Sequence, residues 1–160
     1  MEHVRVADAE AFLSSADTMK PLGRLLDTTD VAVNYYEVDP DSHLAPFYHA
    51  HHDQEEVFYV LAGELTFAVG DREGPTDEVV VATDETIRFA PGEFQRGRND
   101  GTGTARVLAL GAPAESTDVT RLRDCPACGP LVEHDLRLSS EKDALLCVCR
   151  SCDGLTERIE

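Results

Sequence analysis

Three of the chain's six histidines lie within four positions, in the segment FYHAHHDQEEVFYVLAGELTF at residues 47–67. Along a strand, residues two apart share a face, so His49 and His51 are expected to point the same way and His52 the opposite way. Glu56 follows closely enough to reach them after a short bend. Two imidazoles and a carboxylate that converge inside a small barrel are a typical site for a divalent transition metal. Surface histidines ahead of an apolar strand are the alternative.

A second group of residues with metal-binding chemistry lies near the C-terminus. The segments CPACG (125–129) and CRSCDG (149–154) each contain a C-x-x-C pair. Four thiolates at this spacing predict a closed, tetrahedral, structural zinc site, whose ligands would be Cys125, Cys128, Cys149 and Cys152. The glycines after each pair permit tight turns whose amides point at the sulfur atoms. Redox-active dithiols are the alternative, although cytosolic proteins rarely use disulfides.

Between the two cysteine pairs, LVEHDLRL and ALLCVC read as the strands of a hairpin around the turn SSEKD (139–143). Cys147 could replace Cys149, but only Cys149 has C-x-x-C spacing with Cys152, so we interpret Cys147 as a hairpin residue. We interpret His134 as a surface strand residue rather than a spare ligand. Residues 122–158 resemble the zinc ribbon family.

The rest of the chain supplies short segments rich in β-forming residues and bounded by Gly, Pro, Asp or Asn. The predicted strands are 31–38, 56–70 with a break at Gly63, 78–83, 86–91 and 105–112. Short strands at this spacing predict an antiparallel sandwich or barrel. We expect a polar hairpin loop at DREGPTDE (71–78), a short helix at DAEAFLSS (8–15) with Asp8 as its N-cap, and a loop or edge segment at 20–30.

The histidine segment resembles the first motif of the cupin family, with the pattern His49-x-His51-x4-Glu56-x6-Gly63. The segment DETIRFAPGEFQRGRND (84–100) resembles the second motif through Pro91, Gly92 and Asn99. The resemblance covers residues 30–112. It implies an all-β fold, a cupin-type antiparallel β-barrel (jelly roll) followed by a small zinc ribbon β-hairpin, and often a homodimer. The expected divisions are an N-terminal segment with a short helix at 1–29, the cupin β-barrel at 30–117 and the zinc ribbon at 118–160.

The resemblance also implies a barrel metal, which could be Fe, Ni, Mn or Zn, held by His49, His51 and Glu56. Where the second motif normally has its histidine ligand, this chain has Gln95, whose amide oxygen binds metals weakly. Gln95 would be a weak fourth ligand or the mark of a decayed site. His43 occupies the place of a glycine that normally opens the first motif; we expect it in a surface loop, with a lid near the site as the alternative.

Aromatic and basic side chains near the two motifs are candidates for contacts with a ligand. The candidate walls of a substrate pocket are Tyr48, Phe58, Phe89 and Phe94, and each could equally be an ordinary core residue. Arg88, Arg96 and Arg98 flank the second motif. Solvated rim charges are the favoured interpretation of these three arginines, and anchors for an anionic ligand are the alternative.

The charge of the chain excludes one class of function. Thirty-one acidic residues against fourteen basic ones give a net charge of −17, which disfavours non-specific binding to nucleic acid. An acid-rich, lysine-poor composition resembles proteins of salt-accumulating archaea, and an acidic cytoplasmic protein is the alternative. The absence of a long apolar run or an apolar leader predicts a cytoplasmic protein without membrane contact.

These features support two hypotheses about function. The first is a metal-dependent enzyme, dioxygenase- or isomerase-like, that acts on a small polar organic molecule, because two histidines and one carboxylate resemble the metal site of non-haem iron oxygenases. The second is a non-catalytic ligand- or metal-binding or regulatory module, with the zinc ribbon as the surface that contacts a partner. Direct DNA binding by the ribbon is disfavoured because acidic residues are interspersed among its few basic ones.

Overall fold

The computed structural model describes all 160 residues, and thirteen strands form two antiparallel sheets. The smaller sheet has the spatial order β1 (Thr18–Lys20), β2 (Ala32–Val38), β9 (Ala105–Ala112), β4 (Glu55–Ala62) and β7 (Thr86–Phe89). The larger has the order β13 (Leu155–Ile159), β12 (Leu145–Cys149), β11 (Gly129–Leu138), β10 (Val119–Cys125), β3 (Tyr48–His51), β8 (Phe94–Arg98), β5 (Glu64–Asp71) and β6 (Gly74–Ala82). None of the helices is long and apolar enough to cross a membrane.

The main core lies between the two sheets. Alternate residues of a strand face the same side, so β9 buries Ala105, Val107 and Ala109 while the residues between them are more exposed. From the opposite sheet, Leu65 and Phe67 of β5 enter the same cluster and are fully buried. The predicted all-β fold of antiparallel strands is therefore confirmed.

The prediction of a long hairpin loop at residues 71–78 was wrong. β5 ends at Asp71 and β6 begins at Gly74, so only Arg72 and Glu73 form the turn. β6 is the edge strand of the larger sheet, and its residues 75–80 are exposed. A strand with so much contact with water tolerates polar side chains, and its sequence therefore lacks the apolar alternation of a half-buried strand.

The prediction of a helix at residues 8–15 was also wrong. A single 3₁₀ turn covers Val6–Asp8, so Asp8 is not an N-cap, and the only α-helix is Leu22–Leu25, inside the segment that was expected to be a loop. The Phe12 amide donates a hydrogen bond to the Met19 carbonyl, which holds this part of the chain extended against β1. Tertiary pairing thus overrides a weak local helix preference.

Asn99 of the second motif has a structural role. It is fully buried, and its amide nitrogen donates hydrogen bonds to the carbonyls of Val38 and Gly103 at 2.7 and 2.9 Å. Its side-chain oxygen accepts a hydrogen bond from the Gly101 amide. Asn99 therefore fixes the end of β8 against β2, and so helps to set the position of the strand that carries Gln95.

The two cysteine pairs are connected to the barrel through a shared strand. β10 pairs on one side with β3 and on the other side with β11, so the larger sheet runs without a break from the barrel into the C-terminal hairpin. The predicted boundary at residue 118 falls directly before β10. Arg123 of β10 strengthens the junction, since its guanidinium donates to the Pro46 carbonyl and forms an ion pair with Glu157 of β13.

Gly97 in β8 is a position where a side chain would disturb the core. A methyl group there would lie 2.8 Å from Leu44 Cδ1 and 3.0 Å from Phe67 Cε1. We expect Gly97→Ala to lower the free energy of unfolding by about 1–3 kcal/mol through overpacking. Gly103→Ala is the matched control, because a methyl group at residue 103 would have no atom within 4 Å, and it should leave stability unchanged or slightly raised. Urea unfolding followed by circular dichroism measures both, and equal midpoints for the two variants would contradict the prediction.

Candidate functional site

Two neighbouring strands of the larger sheet and one strand of the smaller sheet position the residues of the barrel site. His49 and His51 lie on one face of β3, and His49 is directly opposite Gln95 of β8 in the ladder, so these side chains share the interior face. Glu56 enters from the start of β4 in the opposite sheet. His52 points the other way, as predicted from the alternation, and its Nε2 lies 2.8 Å from Thr120 Oγ1.

The donor atoms of the first motif converge in one small cluster. His51 Nε2 lies 3.7 Å from Glu56 Oε1, and His49 Nε2 lies 4.0 Å from Glu56 Oε2. One nitrogen or oxygen atom from each of these three residues lies within 4.8 Å of the others. Around one metal with bonds of 2.0–2.2 Å, adjacent donors are about 3.0–3.4 Å apart. The cluster could therefore hold a metal ion after small side-chain movements.

The hydrogen bond of His49 prepares it for metal binding. Its Nδ1 lies 3.1 Å from the Phe47 carbonyl, which can only accept, so Nδ1 carries the proton and Nε2 keeps its lone pair. Burial, followed by the neighbouring His51, lowers the pKa of His49 to about 4, which keeps the ring neutral near pH 7. The lone pair on Nε2 faces Gln95 Nε2 at 3.3 Å.

His51 reaches the same state through a relay of side chains. Its Nδ1 lies 2.8 Å from Ser116 Oγ, and Ser116 uses its only proton to donate to Asp53 at 2.6 Å. Ser116 must then accept the Nδ1 proton of His51, which leaves the His51 Nε2 lone pair directed at the site. Asp53 accepts further hydrogen bonds from Thr117 and Asp118, and the bond from Ser116, followed by these, lowers the pKa of Asp53. Sequence reasoning missed this relay because Ser116 lies 65 positions after His51.

Glu56 is the titratable group that a metal would have to deprotonate. Burial raises its pKa to about 7, against the opposing effect of a hydrogen bond from Gln95. Gln95 is buried and donates from Nε2 to Glu56 Oε2 at 3.1 Å. The amide nitrogen of Gln95 therefore contacts both His49 and Glu56, at the position of the missing histidine.

A cavity of about 90 Å³ lies beside this cluster. His49, Glu56 and Gln95 form one wall, and Phe58 lines it as predicted. This volume suits a few water molecules or a ligand of a few heavy atoms.

Other polar residues of the cavity were missed by sequence reasoning. Asn34 and Tyr36 line it from alternate positions of β2, and Gln54 lines it with its amide anchored on the Pro113 carbonyl. Burial and the nearby Glu56 raise the pKa of Tyr36 to about 12, so its hydroxyl stays protonated. The feature of the sequence that could have identified Asn34 as a cavity residue is its polar side chain in the middle of an apolar strand.

The structure places the other three candidate wall residues away from the cavity. Tyr48 and Phe94 stack at 5.4 Å on the opposite face of the sheet, because each neighbours an interior residue in its strand. Phe89 packs against Phe58 and Phe67 in the main core. Of the four predicted wall residues, only Phe58 is therefore in a position to touch a ligand in this cavity.

Two of the three arginines around the second motif form ion pairs, and the third does not. Arg88 pairs with Glu55, and Arg98 pairs with Glu78 and Asp100, so these two are rim charges. Arg96 is half-buried, and its Nε has no hydrogen-bond partner. His43 lies in the loop before β3 and bridges Arg98 through its backbone, and burial lowers its pKa.

The four predicted cysteines come together at the far end of β10. One sulfur atom of each lies within 4.8 Å of the others, with 3.7 Å between Cys125 and Cys152 and 3.9 Å between Cys128 and Cys149. In a disulfide bond the two sulfur atoms are only about 2.05 Å apart. Four sulfur atoms around a zinc ion with 2.3 Å bonds would be about 3.8 Å apart, so the cluster has the dimensions of a tetrahedral metal site.

Backbone amides support this cluster as expected. The amides of Ala127 and Cys128 donate to Cys125, and they lower the pKa of this thiol to about 7, which favours the thiolate. The Gly154 amide donates to Cys152, where a side chain on residue 154 would lie 3.2 Å from the sulfur atom. Glycine is thus needed there for close approach.

The two remaining residues of this region are both buried. Cys147 is outside the cluster, and its sulfur atom lies 3.8 Å from Glu157, in agreement with its assignment to the hairpin. The prediction that His134 is a surface residue was wrong: it is 2% exposed and packs against Phe47. The C-terminal hairpin packs against the barrel at this point, and the packing buries His134. The polar residues around His134 in the sequence did not indicate that this face of β11 is buried.

Comparisons with known proteins agree with the fold. The family model of the cupin domain matches residues 34–111, and no curated protein matches the chain. A sugar phosphate isomerase of the cupin superfamily from Silicibacter pomeroyi is similar in structure, with 15% identity, a TM-score of 0.61, and coverage of 97% of this chain and 92% of that chain.

Two further solved structures are similar at low sequence identity. The polyketide cyclase RemF from Streptomyces resistomycificus has 21% identity and a TM-score of 0.62, with coverage of 79% of this chain and 88% of that one. A protein from Thermotoga maritima described as a predicted oxalate decarboxylase has 18% identity and a TM-score of 0.58, with coverage of 69% and 98%. Residues 34–111 thus match the cupin domain model, and the antiparallel jelly-roll fold of this region agrees with that match.

Proposed function

We propose that the protein is a metal-dependent cupin enzyme that acts on a small polar organic molecule. The observation that carries the proposal is the cluster of His49, His51 and Glu56, in which both imidazoles keep an Nε2 lone pair directed into the site, beside a small cavity. The small cavity supports a ligand of few heavy atoms. A bound divalent metal would supply Lewis acidity toward the oxygen atoms of such a ligand.

The chain's own residues would orient this ligand and control its protons. Tyr36 keeps its proton at Oη and can donate a hydrogen bond to a ligand oxygen, while Asn34 offers an amide donor and acceptor on the same wall. Ser116 and Asp53 keep His51 in the metal-binding tautomer. Phe58 and Ala109 contribute to the apolar part of the wall, which limits the water around the ligand.

The donor atoms of the barrel site suit several divalent metals, so its metal must be identified by experiment. Two imidazoles and a carboxylate suit Fe²⁺, Mn²⁺, Ni²⁺ or Zn²⁺, whereas thiolates favour zinc. We therefore propose a divalent transition metal in the barrel and a structural zinc in a zinc ribbon formed by the C-terminal cysteines. The activities named for the three similar structures differ from one another, so they do not select a reaction.

Isothermal titration calorimetry with Mn²⁺ on the zinc-loaded full chain tests the barrel site. We expect one Mn²⁺ per chain, and none after His51→Ala, because removal of one strong donor leaves only two. His52→Ala is the matched control, since this neighbouring imidazole faces away from the site. Turnover of small carboxylates and sugars by the metal-loaded chain, followed by NMR and oxygen uptake, then tests for an enzyme. Metal binding without turnover would favour the alternative below.

A non-catalytic ligand- or metal-binding module is the second candidate function. Gln95 favours it, because its amide satisfies His49 and Glu56 in the absence of a metal and replaces a stronger ligand. In that case the C-terminal hairpin would serve as a contact surface for a partner.

The homodimer, cytoplasmic location and halophilic origin predicted above remain predictions. Exposed Val80 on edge strand β6 is compatible with pairing between two copies.

The binding of Mn²⁺ should depend on pH through Glu56. Because burial raises the pKa of Glu56 to about 7, the carboxyl group is protonated below pH 7 and a metal must displace that proton. Affinity should therefore rise about tenfold per pH unit up to pH 7 and level off above it. His49, with a pKa near 4, should not compete in this range.

Calorimetry between pH 5.5 and 8.5, in buffers of different ionisation enthalpy, measures this proton release. We expect about one proton released per Mn²⁺ at pH 6 and close to none at pH 8.5. Glu56→Gln removes the titrating group and should remove the pH step along with most of the affinity. An affinity of the parent chain that is constant over this range would contradict the assignment of Glu56.

A further inference from the structure

A second concave site lies outside the cupin motifs, between the N-terminal segment and the tip of the C-terminal hairpin. This groove has a volume of about 660 Å³, within the usual range for organic ligands. Phe12, Leu13 and Met19 form its wall on the N-terminal side, and Leu138 and Leu145 form the opposite wall. The part of the chain that matches the cupin model contributes only Asn34 to its lining.

The walls of the groove expose apolar surface. The side chains of Phe12 and Leu138 are 48% and 50% exposed, and both line the same groove from opposite sides. A single exposed apolar side chain is ordinary, but two that face one concave surface indicate a place where an apolar group binds.

Two cations accompany these apolar walls. Arg24 lies over the Phe12 ring at 5.6 Å from its centre, and neither Arg24 nor Lys142 forms an ion pair. Asp143, the neighbour of Lys142, is already bound by Arg158 and Ser139. Glu10 is the one acidic residue of the lining, so the groove has a local excess of positive charge in a chain of net charge −17.

We propose that this groove binds an amphipathic organic anion. Its ring or short acyl chain would pack on Phe12 and Leu138, and its carboxylate, sulfonate or phosphate group would contact Arg24 and Lys142. In a chain of net charge −17, two cations without ion pairs beside apolar walls favour this groove as a place where an anion can bind. A cationic ligand would meet repulsion from the same two side chains.

The groove and the barrel cavity are neighbours that share a lining residue. Asn34 lines both the groove and the cavity, and Pro21 and Arg24 also line a smaller depression that includes Asn34. An anion in the groove would sit beside the barrel site as a separate ligand, because a molecule with a ring or acyl chain exceeds the few heavy atoms that the barrel cavity accommodates. Its binding needs no barrel metal.

The test compares two fluorescent probes of similar shape on the full, zinc-loaded chain. The probe 1-anilinonaphthalene-8-sulfonate is an amphipathic anion, and N-phenyl-1-naphthylamine is its neutral counterpart. We expect one sulfonate probe per chain. The double variant Arg24→Gln/Lys142→Gln should weaken binding of the sulfonate about tenfold and change binding of the neutral probe by less than twofold. Phe12→Ser should weaken the binding of both probes.

Two controls separate this proposal from others. Arg5→Gln/Arg106→Gln removes the same charge from exposed residues outside the groove lining and should leave both affinities unchanged. His51→Ala should also leave them unchanged, so failure of the barrel metal site would not imitate failure of the groove. The proposal is overturned if the groove variant and this charge control behave alike, or if both probes weaken equally when the two cations are removed. A dimer that dissociates after Phe12→Ser, with sulfonate binding unaffected, would assign the groove to a second copy of the chain and also overturn it.

Discussion

Replacing Cys125 with Ser is expected to remove one zinc ion per chain and to unfold the C-terminal hairpin. About forty residues follow the barrel, and they form no apolar cluster of their own, since Leu122 and Leu131 belong to a cluster with Tyr48, Ala50 and Phe94 of the barrel. In such small units, formation of the metal site is coupled to folding, and the binding free energy of zinc is of the order of 10–16 kcal/mol in isolated zinc-finger peptides. Loss of one thiolate should therefore release the hairpin from its folded state.

Elemental analysis and limited proteolysis measure this result. The Cys125→Ser chain should lack zinc and be cut between residues 126 and 160, while the barrel resists. Cys147→Ser is the matched control, because this cysteine is equally buried in the same hairpin but lies outside the cluster, and it should keep the zinc. Full zinc content and full protease resistance in Cys125→Ser would refute the assignment of the cluster.

The same substitution should weaken the barrel site at a distance. β10 begins beside the Ser116 relay, pairs with β3 so that Val119 lies opposite His51 and Arg121 opposite His49, and ends at Cys125. Fraying of β10 would loosen the strand that carries both imidazoles. We expect weaker Mn²⁺ binding in Cys125→Ser than in Cys147→Ser, and equal affinities would show that β3 keeps its position without β10.

The Gln95→His chain is expected to bind a divalent metal roughly tenfold or more tightly than the parent. Gln95 lies directly opposite His49, and its amide nitrogen already contacts His49 and Glu56, so an imidazole there would be directed at the cluster. Neutral imidazole is a far better donor than an amide oxygen. Gln95→Ala should weaken binding only modestly, because the three residues of the first motif supply most of the affinity, whereas His51→Ala should abolish it.

Calorimetry with Ni²⁺ or Mn²⁺ on zinc-loaded chains compares these variants. Arg96→His is the matched control: it adds an imidazole one residue later, on the opposite face of β8, and should not tighten binding. If the parent binds no metal in the barrel and Gln95→His gains none, the metal hypothesis fails, and the barrel is a module in which Gln95 and Glu56 simply satisfy each other.

The shared face of His49 and His51 and the pairing of the cysteines within each C-x-x-C could be predicted from the sequence because local spacing determines them. Residues two apart in a strand share a face whatever the rest of the fold does, so His49 and His51 must point together and His52 away. Likewise, a C-x-x-C turn places two sulfur atoms side by side within four residues. The strands around Gly63 and at 105–112 were recognisable for the same reason, since each carries its own alternation and its own boundaries.

Long-range pairing decided what local spacing could not. Only the order of the strands brings Ser116 to His51, Tyr36 and Asn34 to the cavity, and β10 between the barrel and the cysteines. Alternation separates the two faces of a strand, but which face lies inside depends on the neighbouring strands. For this reason Tyr48 and Phe94 lie on the face away from the cavity, whereas Phe58 lines it. The expected helix at 8–15 and loop at 71–78 failed because short polar segments have weak local preferences, which a few backbone hydrogen bonds to a neighbouring strand outweigh.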